Sequence, residues 1–513
     1  MHNRVNIIGA GLGGLSAGIR LAKLGFDVSI YEKNEKTGGK MNELVYDSWR
    51  FDTGPSLLTM PFIVDDLFEF AGRKREDYLK FEKVDPVCRY FFAEGSRLDV
   101  HEETDRMVEE LNRFNSLELS NYFHFLAYSK KLYDNAGTIF LRTPIHEWSQ
   151  WIGSLTLSDI AKLTGIDALH TMHKSISRFF KDKRLIQLFD RYATYSGSNP
   201  YTSPATLNMI PYVETGLGAY YISGGMYRLT EALEKIALEF DVKIHTNTEV
   251  AKIIHKDKKV RAIVVNNELI ETDYAVCNAD VVTAYNDLID SADALRRKYN
   301  KLEPSLSGLV FFWGVNKKHS ELKHHNIFFS ADYKKEFNEL FMDKKPASDP
   351  TVYIAITSKT DGSHAPEYGE NWFVLINMPY LKGHEKWTEI IDQTRESIFK
   401  RLKTSGIDIR RNIEFEKVHT PLTFSELYAS NRGSIYGISS NSRFTTFLRP
   451  ANRSRDIKGL YFAGGSAHPG GGIPLVIQSG RFAAELINRD HQKIKSGANT
   501  ILQNKQRKAA VYA

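Results

Sequence analysis

Along the first forty residues the spacing of apolar positions changes from strand-like to helical and back again. Val5 to Ile8 is a short, mostly apolar run that predicts a buried parallel strand. Leu15, Ile19, Leu21 and Ala22 then recur at helical spacing, Gly25 stops the helix, and Val28 to Tyr31 predicts a second strand closing on Glu32. Further on, residues 65–72 read as a helix and Tyr90-Phe91-Phe92 as a strand, while the stretch from Glu43 to Phe51 reads as one extended segment. Leu229, Ala232, Leu233, Ile236 and Ala237 give the amphipathic helix Leu229–Phe240 its apolar face. Val242 to His245 and Thr248 to Ile254 are short strands. Val260–Val265 and Leu269–Thr272 predict a hairpin turning near Asn266-Asn267, and Asp273 to Ala279 predicts a final buried strand.

Two regions depart from this alternation. From about 105 to 200 the pattern becomes helical and crowded with aromatics, among them Tyr122, Phe125, Trp148, Trp151, Phe179, Phe180 and Tyr192. Lys174, Arg178 and Lys181 would share one face of a helix there, beside Phe179 and Phe180 and followed by Lys183 and Arg184. That face is either solvated or made to rest on lipid headgroups. Residues 286–440 mix helices with β-rich runs such as Gly308–Val315, Thr351–Ile356 and Trp372–Ile376, and carry no defensible catalytic signature. His324-His325 is not expected to hold a metal, because neighbours on a strand point to opposite faces.

The chemistry sits where strands give way to glycines. Gly9-x-Gly11-x-x-Gly14 joins the first strand to the first helix: Gly9 allows the turn, Gly11 leaves room for a pyrophosphate, and Gly14 permits close packing of helix on strand. The helix N-terminus then meets the phosphates, and Glu32, eighteen residues beyond Gly14, is placed to accept both ribose hydroxyls of an adenosine. Gly38-Gly39-Lys40 resembles the extended fingerprint of flavoproteins that hold FAD permanently. Phe51 to Ser56 forms a second compact turn, after which Leu57, Leu58, Met60, Phe62 and Ile63 either line a cavity or fill the core. Ligands of open parallel sheets gather at the carboxyl ends of the strands, which puts Val250 and Asn278 either at the cofactor or in plain scaffold. Late in the chain, Leu460 to Ala463 runs into Gly464-Gly465-Ser466-Ala467-His468-Pro469-Gly470-Gly471-Gly472-Ile473-Pro474, with a helix expected after Pro474. This is a second cradle, for a flavin ring, and beyond residue 490 a polar, frayed tail is expected.

Composition narrows the classes. The 513 residues suit two or three domains with a large core, and a net charge of +6 with no basic motif gives little support to a nucleic-acid partner. Cys88 and Cys277 have neither metal nor disulfide spacing, and no uncharged apolar run is long enough to span a bilayer. The first predicted strand begins within four residues, so no signal peptide is expected, and the chain reads as cytoplasmic.

Taken together, NIIGAGLGGLSAGIRLAKLGFDVSIYEKNEKTGGK, FDTGPSLLTMP, GGMYRLTEALEK, HHNIFFS and LYFAGGSAHPGGGIPLVIQSGR resemble the carotenoid and retinoid oxidoreductase family, of the bacterial phytoene-desaturase type. Within it, GPSLLTMP with GGSAHPGGGIPLV is similar to the hydroxycarotenoid 3,4-desaturases. The resemblance implies an α/β fold: a discontinuous Rossmann-type FAD-binding domain (1–100, 216–285 and 441–490), a mixed α+β substrate domain (286–440), a helical, membrane-facing insertion (101–215) and a polar tail (491–513). It implies an FAD-dependent desaturase that adds conjugated double bonds to a lipophilic polyene, best matched to 3,4-desaturation of a 1'-hydroxycarotenoid in carotenoid biosynthesis. Such an enzyme sits peripherally on the inner face of the cell membrane and passes electrons to a quinone or dioxygen. In that picture Glu32 holds the ribose, Lys40, Pro55 and Ser56 approach the flavin, Val250 meets the adenine by backbone, and Gly464, Gly472 and Ile473 bed the isoalloxazine; Gly39, Gly465 and Asn278 complete the site. No catalytic side chain is implied. Family alternatives are a phytoene- or lycopene-forming desaturase, a carotenoid isomerase and a terminal-methyl oxygenase. A flavin amine oxidase shares the N-terminal fingerprint but not the HPGGGIP turn, and a prenyl-binding escort protein shares the architecture without catalysis.

Overall fold

A computed structural model describes residues 3–147, 165–290, 293–442 and 449–511. Trp148 and Trp151 lie outside these.

The strand Arg4–Ile8 is the centre of a five-stranded parallel sheet, in the order Leu460–Phe462, Tyr274–Cys277, Arg4–Ile8, Asp27–Tyr31, Lys243–His245. Alternate residues serve two different cores. Val5, Ile7 and Val276 pack beneath the helices Leu12–Lys23, Arg228–Glu239 and Ile473–Val511. Ile8, Ala275, Cys277 and Phe462 face the antiparallel sheet Val250–Lys256, Lys259–Val265, Glu268–Glu271. Burial on both faces is why these strands read as near-continuous apolar runs. The Asn266-Asn267 turn has positive φ at both residues (51° and 64°), the geometry a two-residue hairpin needs.

A second, seven-stranded sheet runs Ile413–His419, Ser307–Val315, Glu370–Met378, Val352–Ile356, His325–Phe328, Cys88–Phe91, Arg97–Val100. One face, with Leu309, Phe311 and Trp313, is covered by the helix Trp387–Thr404. The other, with Val310, Phe312 and Phe373, packs on Trp49, Phe51 and Phe424. The last two strands lie within residues assigned from sequence to the first domain; their pairing with His325–Phe328 attaches them to the second sheet instead. A boundary drawn from sequence order cannot register a parallel pairing across more than two hundred residues.

Three further expectations are corrected. The segment read as one extended stretch from Glu43 is a hairpin, Glu43–Tyr46 and Trp49–Asp52, turning at Asp47 with φ 51°. The tail is helical: the helix begins at Ile473, one residue before Pro474, and runs to Val511, because no proline interrupts a stretch rich in Ala, Gln and Lys. The basic cluster does not share a helical face. The helix Met172–Ile176 ends before Arg178, and the next is Lys183–Asp190. Lys174, Arg178, Lys181 and Lys183 are exposed, whereas Phe180 is buried and Phe179 packs against the same aromatic core. That core joins Tyr122, Phe125, Phe189 and Tyr192 to Tyr90 and Ile327 of the second sheet, so the aromatics that looked available to lipid hold the helical layer onto the sheet edge.

Candidate active site

The first cradle is built by backbone. Gly9, with φ +95°, turns the chain off its strand while its N–H donates to Tyr31 O (2.8 Å). The helix Leu12–Lys23 starts at Gly11 with no side-chain cap and no acidic residue in its first turn, leaving its N–H groups and dipole to an anion. A Cβ on Gly14 would lie 2.2 Å from Gly9 O, so Gly14 sets the close packing of helix on strand and does not line the cavity. A Cβ on Gly11 would lie 2.8 Å from Asn278 Nδ2, and one on Gly13 2.6 Å from Asn278 Oδ1 and 2.9 Å from Gly464 N. Asn278 therefore joins the two glycine turns; its amide donates to Gly9 O (3.3 Å) and its Oδ1 is buried without a protein partner.

Glu32 is 5% exposed and already engaged: Oε2 accepts from Ala10 N (2.9 Å), and Oε1 from Asn34 N (3.0 Å) and Asn34 Nδ2 (2.9 Å). The carboxylate thus fixes the phosphate turn itself, and Oε2 keeps acceptor capacity toward the cavity. Gly38 (φ +104°) donates to Ala10 O (2.8 Å), bringing Gly39 and Lys40 beside the first turn. Lys40 Nζ donates to Ile435 O (2.8 Å) and Ser434 O (3.3 Å). Burial brings its pKa down to about 8, partly opposed by Asp280. In the second turn Gly464 (φ +96°) meets Asn278. A Cβ on Gly472 (φ +107°) would meet no protein atom within 4 Å, so the chain there presents bare backbone to open space before the helix that starts at Ile473.

Gly9, Gly11, Glu32, Gly39, Lys40, Pro55, Ser56, Val250, Asn278, Gly464, Gly465, Gly472 and Ile473 all line one cavity of about 640 Å³. Two helix N-termini free of acidic first-turn residues, an unpartnered Asn278 Oδ1 and the open space at Gly472 fit a dinucleotide whose phosphates meet one turn and whose ring system meets the other. Beyond the cradles the same cavity is walled by apolar side chains from both layers, including Leu57, Leu207, Val213, Val310, Ile327 and Phe373.

Several cavity residues had escaped sequence reasoning. Asp280 follows Asn278 and caps the helix Val281–Thr283 through Val282 N (2.9 Å); burial raises its pKa against the pull of that bond, Lys40 and Arg449. Its capping position was a signal left unread. Arg449 donates to Tyr436 O and Gly465 O (3.2 Å each), and burial lowers its pKa to about 10. Arg191 donates to Glu214 Oε1 (2.9 Å) and Tyr90 OH (2.6 Å), a convergence of three separate segments with no local signal. The rings of His324 and His325 lie 4.4 Å apart, not on opposite faces, because the strand begins at His325 and its alternation does not reach back to His324. His324 Nδ1 bonds Thr360 Oγ1 (2.5 Å). His325 Nδ1 bonds Tyr353 OH (2.8 Å), which continues to Ser56 Oγ (2.6 Å) on the cavity wall.

The flavin-containing amine oxidoreductase family matches residues 12–488. Among curated proteins, a 1-hydroxycarotenoid 3,4-desaturase from Flavobacterium sp. is 37% identical over 94% of this chain and 98% of its own length. A 4,4'-diapolycopene oxygenase from Methylomonas sp. is 36% identical over 96% and 99%. Among solved structures, an oxidoreductase from Methanosarcina mazei superposes with a TM-score of 0.63 at 16% identity, over 94% of this chain and all of that one, a likeness of fold alone. The chain belongs to the flavin-containing amine oxidoreductase family, within the carotenoid and retinoid oxidoreductase branch that its motifs resemble. It is an FAD-dependent oxidoreductase.

Proposed function

We infer that this protein desaturates a lipophilic polyene, and that its reaction is the 3,4-desaturation of a 1'-hydroxycarotenoid in carotenoid biosynthesis. The observation that carries the reading is the continuity of one cavity from the glycine cradles into an apolar compartment. A long hydrocarbon seated there would lie against the cofactor. When bound, FAD supplies the hydride acceptor; the carbon next to the one oxidised gives up a proton, and a conjugated double bond results. The residues of the chain orient and enclose. Val310, Phe373 and Ile327 on the second sheet, with Leu207 and Val213 on the helical layer, hold the polyene and exclude water. Lys40 and Arg449, tied to backbone carbonyls and facing Asp280, keep fixed charge at the boundary between cradle and apolar wall.

A substrate soluble in lipid implies a protein that works from a membrane surface. That surface is the inner face of the cell membrane, to which the protein would attach peripherally; no helix among the described residues is long and apolar enough to cross a membrane. The exposed Lys174, Arg178, Lys181 and Lys183 remain the proposed contact, now without their aromatic neighbours. A quinone reached from the same surface, or dioxygen, would reoxidise the flavin.

The relative named as an oxygenase, at 36% identity, favours a second reading in which a terminal methyl is oxidised to an aldehyde. Expression in hosts that accumulate lycopene or a hydroxylated carotene, with mass analysis of the pigments, separates them. Desaturation gives a product two hydrogens lighter, and aldehyde formation adds oxygen. A product of unchanged mass under anaerobiosis would replace both with isomerisation.

A further inference from the structure

A cavity for a hydrocarbon has no need of charge, yet Arg191 and Glu214, 7% and 2% exposed, both line this one. Arg191 opens a short helix, Arg191–Ser196, and Glu214 lies on another, Ile210–Thr215. They meet through Arg191 Nη2 to Glu214 Oε1 (2.9 Å); the same Nη2 donates to Tyr90 OH (2.6 Å), and Tyr192 OH donates to the same Oε1 (2.8 Å). Arg191 also lies over the ring of Tyr192, 4.2 Å from its centroid. Burial works against the guanidinium charge, and the surrounding Tyr90 and Glu214 oxygens overcome it, so Arg191 stays protonated.

The cluster is not saturated. Arg191 Nη1 donates to no described residue and Glu214 Oε2 accepts from none, and neither atom is sealed from the cavity as the unpartnered Arg191 Nε is. If it served only to hold the helical layer on the sheet, well-packed apolar side chains would do the same at no desolvation cost. One donor and one acceptor left open in an apolar wall match a group that both accepts and donates, which is a hydroxyl.

We propose that Arg191 and Glu214 form a hydroxyl-recognising subsite in the polyene cavity, Arg191 donating a hydrogen bond to the substrate oxygen and Glu214 Oε2 accepting one from its O–H. The subsite rests on the desaturase reading above and names the feature that selects among polyenes. A hydrocarbon of the same length would leave both groups dry and unpaired, and it is that penalty that discriminates.

The test compares a 1-hydroxylated polyene with the hydrocarbon of equal length, each delivered in liposomes to the flavin-loaded enzyme. Two ratios are read: kcat/KM for the two polyenes, and pigment retained per protein after the liposomes are floated away. Wild type should favour the hydroxylated polyene at least tenfold in both. Glu214→Gln should lower the ratios, and the charge-free double variant Arg191→Met with Glu214→Leu should bring them near unity; flavin content and melting temperature report on folding. A purely structural pair would depress both polyenes alike and leave the ratios unchanged, which overturns the proposal, as does a wild-type ratio near one. If wild type retains the hydroxylated pigment selectively but converts neither polyene, the subsite stands and the desaturase reading fails.

Discussion

The cofactor cradles and the polyene compartment are two ends of one cavity, yet they are built on opposite principles. In the cradles recognition belongs to the backbone: Gly9, Gly464 and Gly472 hold positive φ, and the helix from Leu12 offers uncapped N–H groups. In the compartment recognition belongs to side chains brought from distant segments, such as Arg191 with Glu214 and Tyr90, or His325 with Tyr353 and Ser56. A backbone site tolerates few substitutions, because a Cβ there either strains a positive φ, as at Gly472, or collides with a neighbour, as at Gly13 and Gly14. A side-chain site can be repacked, so related proteins can differ there in what they accept.

The largest expected effect separates packing glycines from cofactor-facing ones. Gly14→Val places its Cβ against Gly9 O at 2.2 Å, backbone on backbone, and should prevent accumulation of folded protein. Gly472→Ala meets nothing within 4 Å and bears chiefly the strain of its positive φ, about 1–2 kcal/mol. It should fold, by circular dichroism and melting temperature, but hold less flavin. Equal loss of fold in both would erase the distinction.

Glu32→Ala comes next. It removes the acceptor for Ala10 N and both Asn34 donors, bonds to a charged group worth roughly 1.5–3 kcal/mol each, so flavin affinity should fall at least tenfold. A purified variant with a full flavin absorbance ratio would show that the carboxylate only braces the turn.

Acid should act through buried histidines. His324 and His468, brought by burial to about 3, and His419, brought by burial to about 4, stay neutral in the folded protein, whereas the unfolded chain takes up protons near pH 6.5. The unfolded state therefore binds more protons between about pH 4 and 6.5, and stability falls as pH drops through that window, by up to about 1.4 kcal/mol per pH unit for each histidine. Denaturant midpoints at pH 7 and pH 5 measure the slope, and His468→Gln should make it shallower. An unchanged slope would place the acid-sensitive groups elsewhere.

Tyr353→Phe is the smallest. It strands His325 Nδ1 in a buried position, costing about 1–3 kcal/mol, and frees Ser56 Oγ on the cavity wall, while flavin content stays near the wild-type level because the glycine turns and the bonds of Glu32 are untouched. Differential scanning calorimetry and flavin absorbance read the two together, and flavin loss would tie the Ser56–Tyr353–His325 chain to the cradle.

The sequence by itself determined the first cradle. The strand, the glycine turn, the helix and Glu32 are consecutive, and their geometry follows from local rules: the apolar run, the missing Cβ, the uncapped helix start. The second turn was legible for the same reason, although the helix starts at Ile473, two residues earlier than the start expected after Pro474. Tertiary structure alone decided how the two turns meet, through Asn278 wedged between Gly11, Gly13 and Gly464. It also carried Cys88–Phe91 across to His325–Phe328, turned Phe180 inward and left the nearby lysines outside. It alone assembled Arg191, Glu214 and Tyr90. A turn is specified by neighbours along the chain, but a buried hydrogen bond between residues 101 positions apart is specified by the packing of whole layers, and no stretch of sequence contains both partners.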